Sequence, residues 1–199
     1  MTDILPLFPL HTVLVPGALL PLRIFETRYL DLVSECLRAT SGFGVNLIKQ
    51  GSEVGKPASV HPTGTYARIV DWQKQPDGLL GITIEGQHRF RVRATQVRPN
   101  RLLEARVDWL QEDGDGPVTE LDSEILVWLR GFAGSVSLSL IDEAGRERSQ
   151  AWVSYRLLEL LHLPLPVKQV LLEVDAPAVR LEKLCSLLRG ADDHHRSTV

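Results

Sequence analysis

Turn-forming residues divide the first 116 residues into short apolar runs, and this spacing constrains the fold more than any other feature of the sequence. Proline, glycine and asparagine at the separators fix φ or tolerate positive φ, which favours tight turns. The runs between them are rich in β-branched residues. They predict strands over residues 3–7, 12–15, 43–49, 64–73, 79–85, 88–97 and 103–110. Many short strands at this spacing are typical of a β barrel or sandwich.

Helical periodicity interrupts the strands once and dominates after Pro117. Residues 27–39 carry an apolar stripe at helical spacing. The same pattern predicts later helices over residues 121–132, 149–161, 167–174 and from about 177 onward. We therefore predict an α+β protein with a β-rich domain over 1–116, a helical domain over 117–189 and a disordered tail over 190–199.

Charge and cysteine content exclude several classes of protein. The chain has 22 basic and 25 acidic residues, and residues 1–116 hold 13 of each, so neither half has the basic excess of a nucleic-acid binder. Cys36 and Cys185 lie in apolar stretches, which predicts buried free thiols. Asp3 stands where a signal peptide carries basic residues, and no run approaches the length of a membrane span. We expect a cytoplasmic protein with no membrane contact.

Motifs for catalysis or metal binding do not emerge. The run from Gly51 to Pro57 has one residue too few for a phosphate loop and no hydroxyl after Lys56. No nucleophile elbow and no zinc-ligand spacing is present. A hydrolase that uses His61 or His88 would still need a nucleophile beside the imidazole. We expect no enzyme, no catalytic residue, no metal and no cofactor.

Three arginines alternate along one predicted strand, at Arg89, Arg91 and Arg93. Period-two alternation places them on one face, which could bind RNA or an acidic peptide. Because the domain has no net charge, we favour a solvated face whose arginines pair with neighbours such as Glu85 and Glu104.

Two further sets of residues are candidates for structure or recognition. Glu26 and Arg28 flank the start of the first helix, where an ion pair that fixes helix to sheet is favoured over a ligand contact. Trp72 and Trp109 lie near strand ends, where they could act as exposed anchors. Placement in the core or at its rim is favoured for both.

An ordered set of segments spans nearly the whole chain and resembles a known family. The segments are Leu5-Pro-Leu-Phe-Pro-Leu10, Val13-Leu-Val-Pro-Gly17, Leu20-Pro-Leu-Arg-Ile-Phe-Glu-Thr-Arg-Tyr29, Phe43-Gly44, Gly51-Ser-Glu-Val-Gly55, Gly64-Thr65, Ala67-Arg-Ile69, Gly86-Gln-His-Arg-Phe-Arg-Val92, Lys168-Gln-Val-Leu-Leu-Glu173 and Arg180-Leu-Glu182. In this order they resemble, over residues 4–189, the N-terminal substrate-binding domain of the ATP-dependent protease Lon.

The resemblance implies a PUA-like β pseudo-barrel carrying one helix, followed by a C-terminal helical bundle. Arg23 departs from the family, which often has histidine there, and residues 135–148 match no segment. Walker A, Walker B and protease motifs are absent, so the chain resembles a stand-alone form of the domain. Such a form would not hydrolyse ATP or peptide bonds by the mechanism of Lon.

These observations predict a non-catalytic protein that binds polypeptides. The expected ligands are unfolded or degron-bearing polypeptides, or a dedicated protein partner, held in a groove between barrel and helices by apolar contact and backbone pairing. The candidate residues, which would line or support that surface, are Glu26, Arg28, Trp72 and Arg89. The alternative is an RNA-binding PUA-like module, although the charge balance makes nucleic acid an unlikely partner.

Overall fold

Strands dominate the first part of the computed structural model and helices the last, and it describes residues 3–112, 114–118 and 149–196. The strands are β1 (Asp3–Leu10), β2 (Leu19–Ile24), β3 (Gly42–Gln50), β4 (Ser59–Val60), β5 (Thr63–Lys74), β6 (Leu80–Val97) and β7 (Leu103–Trp109). The helices are α1 (Thr27–Ala39), α2 (Gln150–Leu160), α3 (Leu165–Leu172) and α4 (Pro177–Arg196). The predicted helix over 121–132 lies outside the described residues.

The sheet closes on itself. Antiparallel neighbours follow in the order β1–β7–β6–β5–β3, and β3 then pairs in parallel with β1. Because the five strands close into a ring, the ring has no long unpaired edge, and the side chains that point inward pack together in one core. Leu7, Phe43, Phe90 and Val107 are fully buried in that core. The predicted α+β fold, a β pseudo-barrel with one helix followed by further helices, is confirmed.

The second strand lies later in the chain than its prediction. Residues 12–15 belong to no strand, and the Leu14 carbonyl accepts a hydrogen bond from the Thr65 hydroxyl at 2.6 Å. The true strand, β2, contains Pro21 and pairs with β6. Proline supplies no amide hydrogen, so it is tolerated where one side of a strand has no partner.

A single long strand replaces two predicted ones. The sequence predicts a break at Gly86, yet β6 runs unbroken from Leu80 to Val97. Gly17 donates its amide hydrogen to the Gly86 carbonyl, and Gly86 donates to the Ala18 carbonyl. A Cβ at Gly86 would lie 2.3 Å from the Val15 carbonyl oxygen. Gly86 therefore lies inside a strand and not in a turn, and its lack of a side chain lets the backbone of residues 15–18 approach that strand closely.

The described residues form two compact units. The first comprises residues up to Gln111 together with Leu163–Glu173, and the second comprises Glu112–His162 and the residues from Val174 onward. Helix α3 thus belongs to the barrel unit, where Gln169 donates a hydrogen bond to the Thr63 carbonyl at 3.1 Å. The predicted domain limits at 116 and 189 stay predictions.

Helices of the second unit begin where the sequence indicates. Ser149 caps α2, since its hydroxyl accepts the Trp152 amide hydrogen at 3.3 Å. Among the described residues, no helix is both long and apolar enough to cross a membrane. Cys36 is a buried free thiol, as predicted, whereas Cys185 is only half-buried and its thiol donates to the Leu181 carbonyl at 2.8 Å.

Candidate functional site

Three strands project as an arm from the barrel. The arm consists of β2, residues 68–74 of β5 and residues 80–85 of β6, and it ends in the turn over 75–79. Leu22 lies opposite Ile82 across one ladder, and Trp72 lies opposite Ile82 across the other. The three side chains therefore form one cross-strand row on the same face of the sheet.

Burial decreases steeply along this row. Ile82 is 2% exposed, Leu22 is half-buried and Trp72 is 60% exposed. The next row toward the barrel contains Ile84, which is fully buried. Apolar side chains therefore continue without interruption from the core to an exposed indole at the end of the arm. This differs from the favoured placement of Trp72 in the core or at its rim.

A groove of about 520 Å³ lies at the end of the arm. Its lining includes Pro21, Trp72 and Pro76, with Gly81 between the outer strands. An ion pair between Arg23 and Asp77 stands at one side of this arm groove. The volume falls within the range of ligand-binding clefts.

Other apolar side chains near the arm are also exposed. Leu19 is 59% exposed, Phe25 58% and Val70 51%. Clustered exposed apolar side chains mark a binding site more often than scattered ones do. Sequence reasoning missed β2 as a wall of this site. The alternating run Leu19-Leu-Pro-Leu-Arg-Ile24 was the available signal.

Glu26 and Arg28 form a partly buried ion pair, the arrangement that the sequence favours. Their side chains meet at 3.0 Å, and Arg28 is 7% exposed. Arg28 also donates to the carbonyl of Glu53 at 3.1 Å and to that of Arg101 at 3.3 Å. The guanidinium thus ties the start of α1 to two loops of the barrel. These contacts place its guanidinium within the fold.

Tyr29 packs directly against this ion pair. Its ring stacks on Phe8 with 3.9 Å between centroids, and the Arg28 guanidinium lies 4.6 Å from its centroid. Burial raises the pKa of Tyr29 to about 12, although the Arg28 charge opposes the shift. The phenol is therefore held in its neutral form well above pH 10.

Stability should fall in alkaline solution because of Tyr29. Its folded pKa lies above the ordinary value of 10.0, so its contribution is complete below pH 10 and is lost as the pH rises toward 12. Between pH 9 and 12, the free energy of unfolding should fall by about 2 kcal/mol less in Tyr29→Phe than in the unsubstituted chain. Urea unfolding at both pH values measures this, with Tyr66→Phe as control. Equal losses in all three proteins would contradict it.

Arg89 differs most from its prediction. It is 1% exposed, and it donates to the Leu172 carbonyl at 2.8 Å and to the Gln111 carbonyl at 3.3 Å. The expected arginine face therefore does not form. The physical reason is cover from the same unit, since the end of α3 and the segment after β7 supply the carbonyls that the guanidinium binds. A β-bulge lies between Gly86 and Arg89, before the arginines, so Arg89 and Arg91 stay on one face of β6.

The other arginines of that strand also differ from the predicted stripe. Arg93 is exposed and binds Asp108 at 2.5 Å, whereas the sequence predicts a pairing with a neighbour such as Glu85 or Glu104. A second register shift lies between Val92 and Ala94. Glu104 binds Arg98 at 2.6 Å. Among the described residues, no group of histidine, cysteine, aspartate and glutamate is arranged to hold a metal ion.

Comparison with known proteins assigns the family. A profile described as the ATP-dependent protease La (LON) substrate-binding domain matches residues 4–190. The chain belongs to this family. The Lon N-terminal domain protein from Xanthomonas campestris has the same fold, with a TM-score of 0.77 and 38% identity over 92% of this chain and 98% of that one. The resemblance predicted from the ordered segments is confirmed.

More distant Lon proteins share the fold or part of the sequence. The N-terminal domain of Lon protease from the Mycobacterium avium complex gives a TM-score of 0.68 at 17% identity, over 92% of this chain and 97% of that one. Lon protease from Roseiflexus castenholzii is 36% identical over 92 residues, or 46% of this chain and 12% of that protein. Lon protease 1 from Syntrophobacter fumaroxidans is 23% identical over 95% of this chain, which corresponds to 24% of that protein. The chain thus spans a quarter or less of these proteases.

Proposed function

We propose that this chain is a non-catalytic module that binds unfolded or degron-bearing polypeptides through the arm. The observation that carries the proposal is the apolar row that leads from buried Ile82 to exposed Trp72. Unfolded chains expose apolar side chains that folded proteins bury, so an exposed apolar groove favours them as ligands. The family description, which names a substrate-binding domain, supports the same class of ligand.

The edge of β2 supports a second mode of contact. Among the described strands, β2 pairs with β6 alone, so its opposite edge is open to an added strand. An extended polypeptide at that edge would gain main-chain hydrogen bonds whatever its sequence. Pro21 interrupts the row of donors, which limits how long such a strand can become. Affinity then rests on apolar side chains in the arm groove.

The four candidate residues have different parts in this proposal. Trp72 contacts the polypeptide, because it is the large exposed side chain at the arm groove. Glu26, Arg28 and Arg89 support the barrel beneath, because their hydrogen bonds join elements of the fold. The main support for RNA binding was an exposed face of arginines, and that face does not form because Arg89 is buried. RNA binding is therefore kept only as one outcome of the test.

Trp72→Ala should weaken polypeptide binding about tenfold, since truncation of an aromatic anchor typically costs a kilocalorie or more. Fluorescence anisotropy with a labelled polypeptide, reduced and alkylated so that it cannot fold, measures the affinity. Val97→Ala is the matched control, because Val97 is 53% exposed on the same unit and lies away from the arm groove. It should bind like the unsubstituted chain.

Three results would count against the proposal. If the unsubstituted chain fails to bind the unfolded polypeptide, the function is wrong. If Trp72→Ala and Val97→Ala bind equally well, the location is wrong. Binding to a short RNA alone, with a steep loss of affinity between low and moderate salt, would assign the barrel to the nucleic-acid class instead.

A further inference from the structure

A second groove opens where the barrel wall is incomplete. Asp3 to Leu7 of β1 pair with β7, but pairing with β3 begins only at Leu7. The first residues of β1 therefore have no described strand on that side. The resulting cavity, here named the seam groove, has a volume of about 490 Å³ and lies between β1 and the end of α1.

Two aromatic rings are fixed at right angles in the lining of the seam groove. Tyr66 and Trp109 have centroids 5.5 Å apart and an interplanar angle of 89°. The Trp109 indole donates to the Asp3 carboxylate at 2.6 Å. The Tyr66 ring rests on Gly42, where a Cβ would lie 2.8 Å from its Cζ. Both rings are therefore held in place before any ligand arrives.

The charged side chains of the seam groove carry an excess of carboxylates. Glu35 lines the groove and binds Arg98 at 2.8 Å, and Arg98 also binds Glu104 at 2.6 Å. Asp3 adds a third carboxylate, because it accepts a hydrogen bond from Trp109. The side chains that line the groove or hydrogen-bond to its lining therefore include three carboxylates and one guanidinium. The lining also contains the His88 imidazole, the Cys36 thiol and the Tyr66 phenol.

The Glu104 carboxylate stays ionised in neutral solution. Burial alone would raise the pKa of Glu104, but hydrogen bonds from Gln96 and Arg98 outweigh it and lower the pKa below its ordinary value. The Glu35 side chain is 48% exposed, so its carboxylate is open to a second cation. Arg68, which pairs with Gly42 on the neighbouring strand, donates to the Thr40 carbonyl at 3.4 Å and does not line the groove.

We infer that the seam groove binds a basic side chain, lysine or arginine, of the polypeptide ligand. A cation gains from the faces of Tyr66 and Trp109 and from the net negative charge beside them. Its aliphatic stem packs on Ile4, Pro6 and Ala39 in the lining. The inference rests on the proposed function and adds a preference for segments that combine basic and apolar residues.

The indole N–H signals of a ¹⁵N-labelled protein test the inference without a polypeptide. Trp109→Phe and Trp72→Phe assign the two relevant signals by their loss. N-acetyl-lysine-N-methylamide is titrated, with the norleucine analogue as an uncharged match. We expect the lysine probe to move the Trp109 signal saturably and to bind about fivefold more tightly than norleucine. The Trp72 signal should not follow it.

Glu35→Gln separates the charge from the shape of the groove. It should remove the preference for lysine over norleucine and leave norleucine binding unchanged. Asp31→Asn is the matched control, because Asp31 is an exposed carboxylate one turn earlier on α1. It should retain the preference.

The inference is overturned if the lysine probe does not shift the Trp109 signal or if the norleucine analogue binds equally well. It is also overturned if Glu35→Gln still binds lysine more tightly than norleucine. Failure of the proposed function is measured separately. It would appear as a lack of polypeptide binding in the anisotropy experiment, whatever the Trp109 signal does.

Discussion

Arg180→Ala is expected to destabilise the second unit by about 4 kcal/mol. Arg180 is fully buried on α4 and donates to Glu112 at 2.7 Å, to the Val174 carbonyl at 2.8 Å and to the Ser154 hydroxyl at 3.1 Å. Its guanidinium also lies 4.0 Å from the centroid of the Tyr155 ring. Truncation removes these contacts together and leaves a cavity among α2 and α4.

Hydrogen exchange across α2 is the suitable measurement, because two units need not unfold in one step. Arg180→Met keeps most of the side-chain volume, so it should destabilise the unit less than Arg180→Ala does, by about 3 kcal/mol. Glu182→Ala, an exposed position on the same helix, should leave exchange unchanged. Protection of α2 that is equal in Arg180→Ala and Glu182→Ala would show that the buried guanidinium contributes little.

Arg89→Ala is expected to destabilise the barrel unit by about 3 kcal/mol. Arg89 holds the carbonyl of Leu172, the last residue of α3, and the carbonyl of Gln111 after β7. A cation at the C-terminal end of a helix also interacts favourably with the helix dipole. Without it, two backbone segments lose a shared buried donor.

Substitution by lysine tests the geometry of this contact. One ammonium group cannot reproduce the forked donors of a guanidinium, so Arg89→Lys should still lose about 2 kcal/mol. Arg93→Ala is the control, because its ion pair with Asp108 is exposed and worth well under about 1 kcal/mol. Urea unfolding followed at Trp109 measures all three. If Arg93→Ala proves as damaging as Arg89→Ala, the buried contact is not the source of the stability.

The sequence predicted the barrel well because its turns are marked by local chemistry. Strands bounded by proline and glycine, such as β3 and β7, appear close to their predicted limits. Helix α2 begins beside Ser149 because a serine cap is also a local signal. These features depend on a few adjacent residues, which a sequence displays directly.

Features that depend on pairing between distant residues could not be predicted in this way. Distant segments that contain Leu172 and Gln111 cover Arg89, and period-two alternation along one strand gives no warning of such cover. Gly86 is required by the Val15 backbone, which only the fold brings near. Trp72 is exposed because the arm extends beyond the core, and the length of an arm is a property of three strands together.

The membership of α3 in the barrel unit has a consequence for biosynthesis. The ribosome produces Glu112–His162, which belongs to the other unit, before it produces Leu163–Glu173. When the last barrel strand emerges, Arg89 and Thr63 still lack the helix that supplies the Leu172 carbonyl and the Gln169 amide. The nascent barrel is therefore completed late, and a chain cut near residue 116 contains every barrel strand but never the segment that finishes the unit.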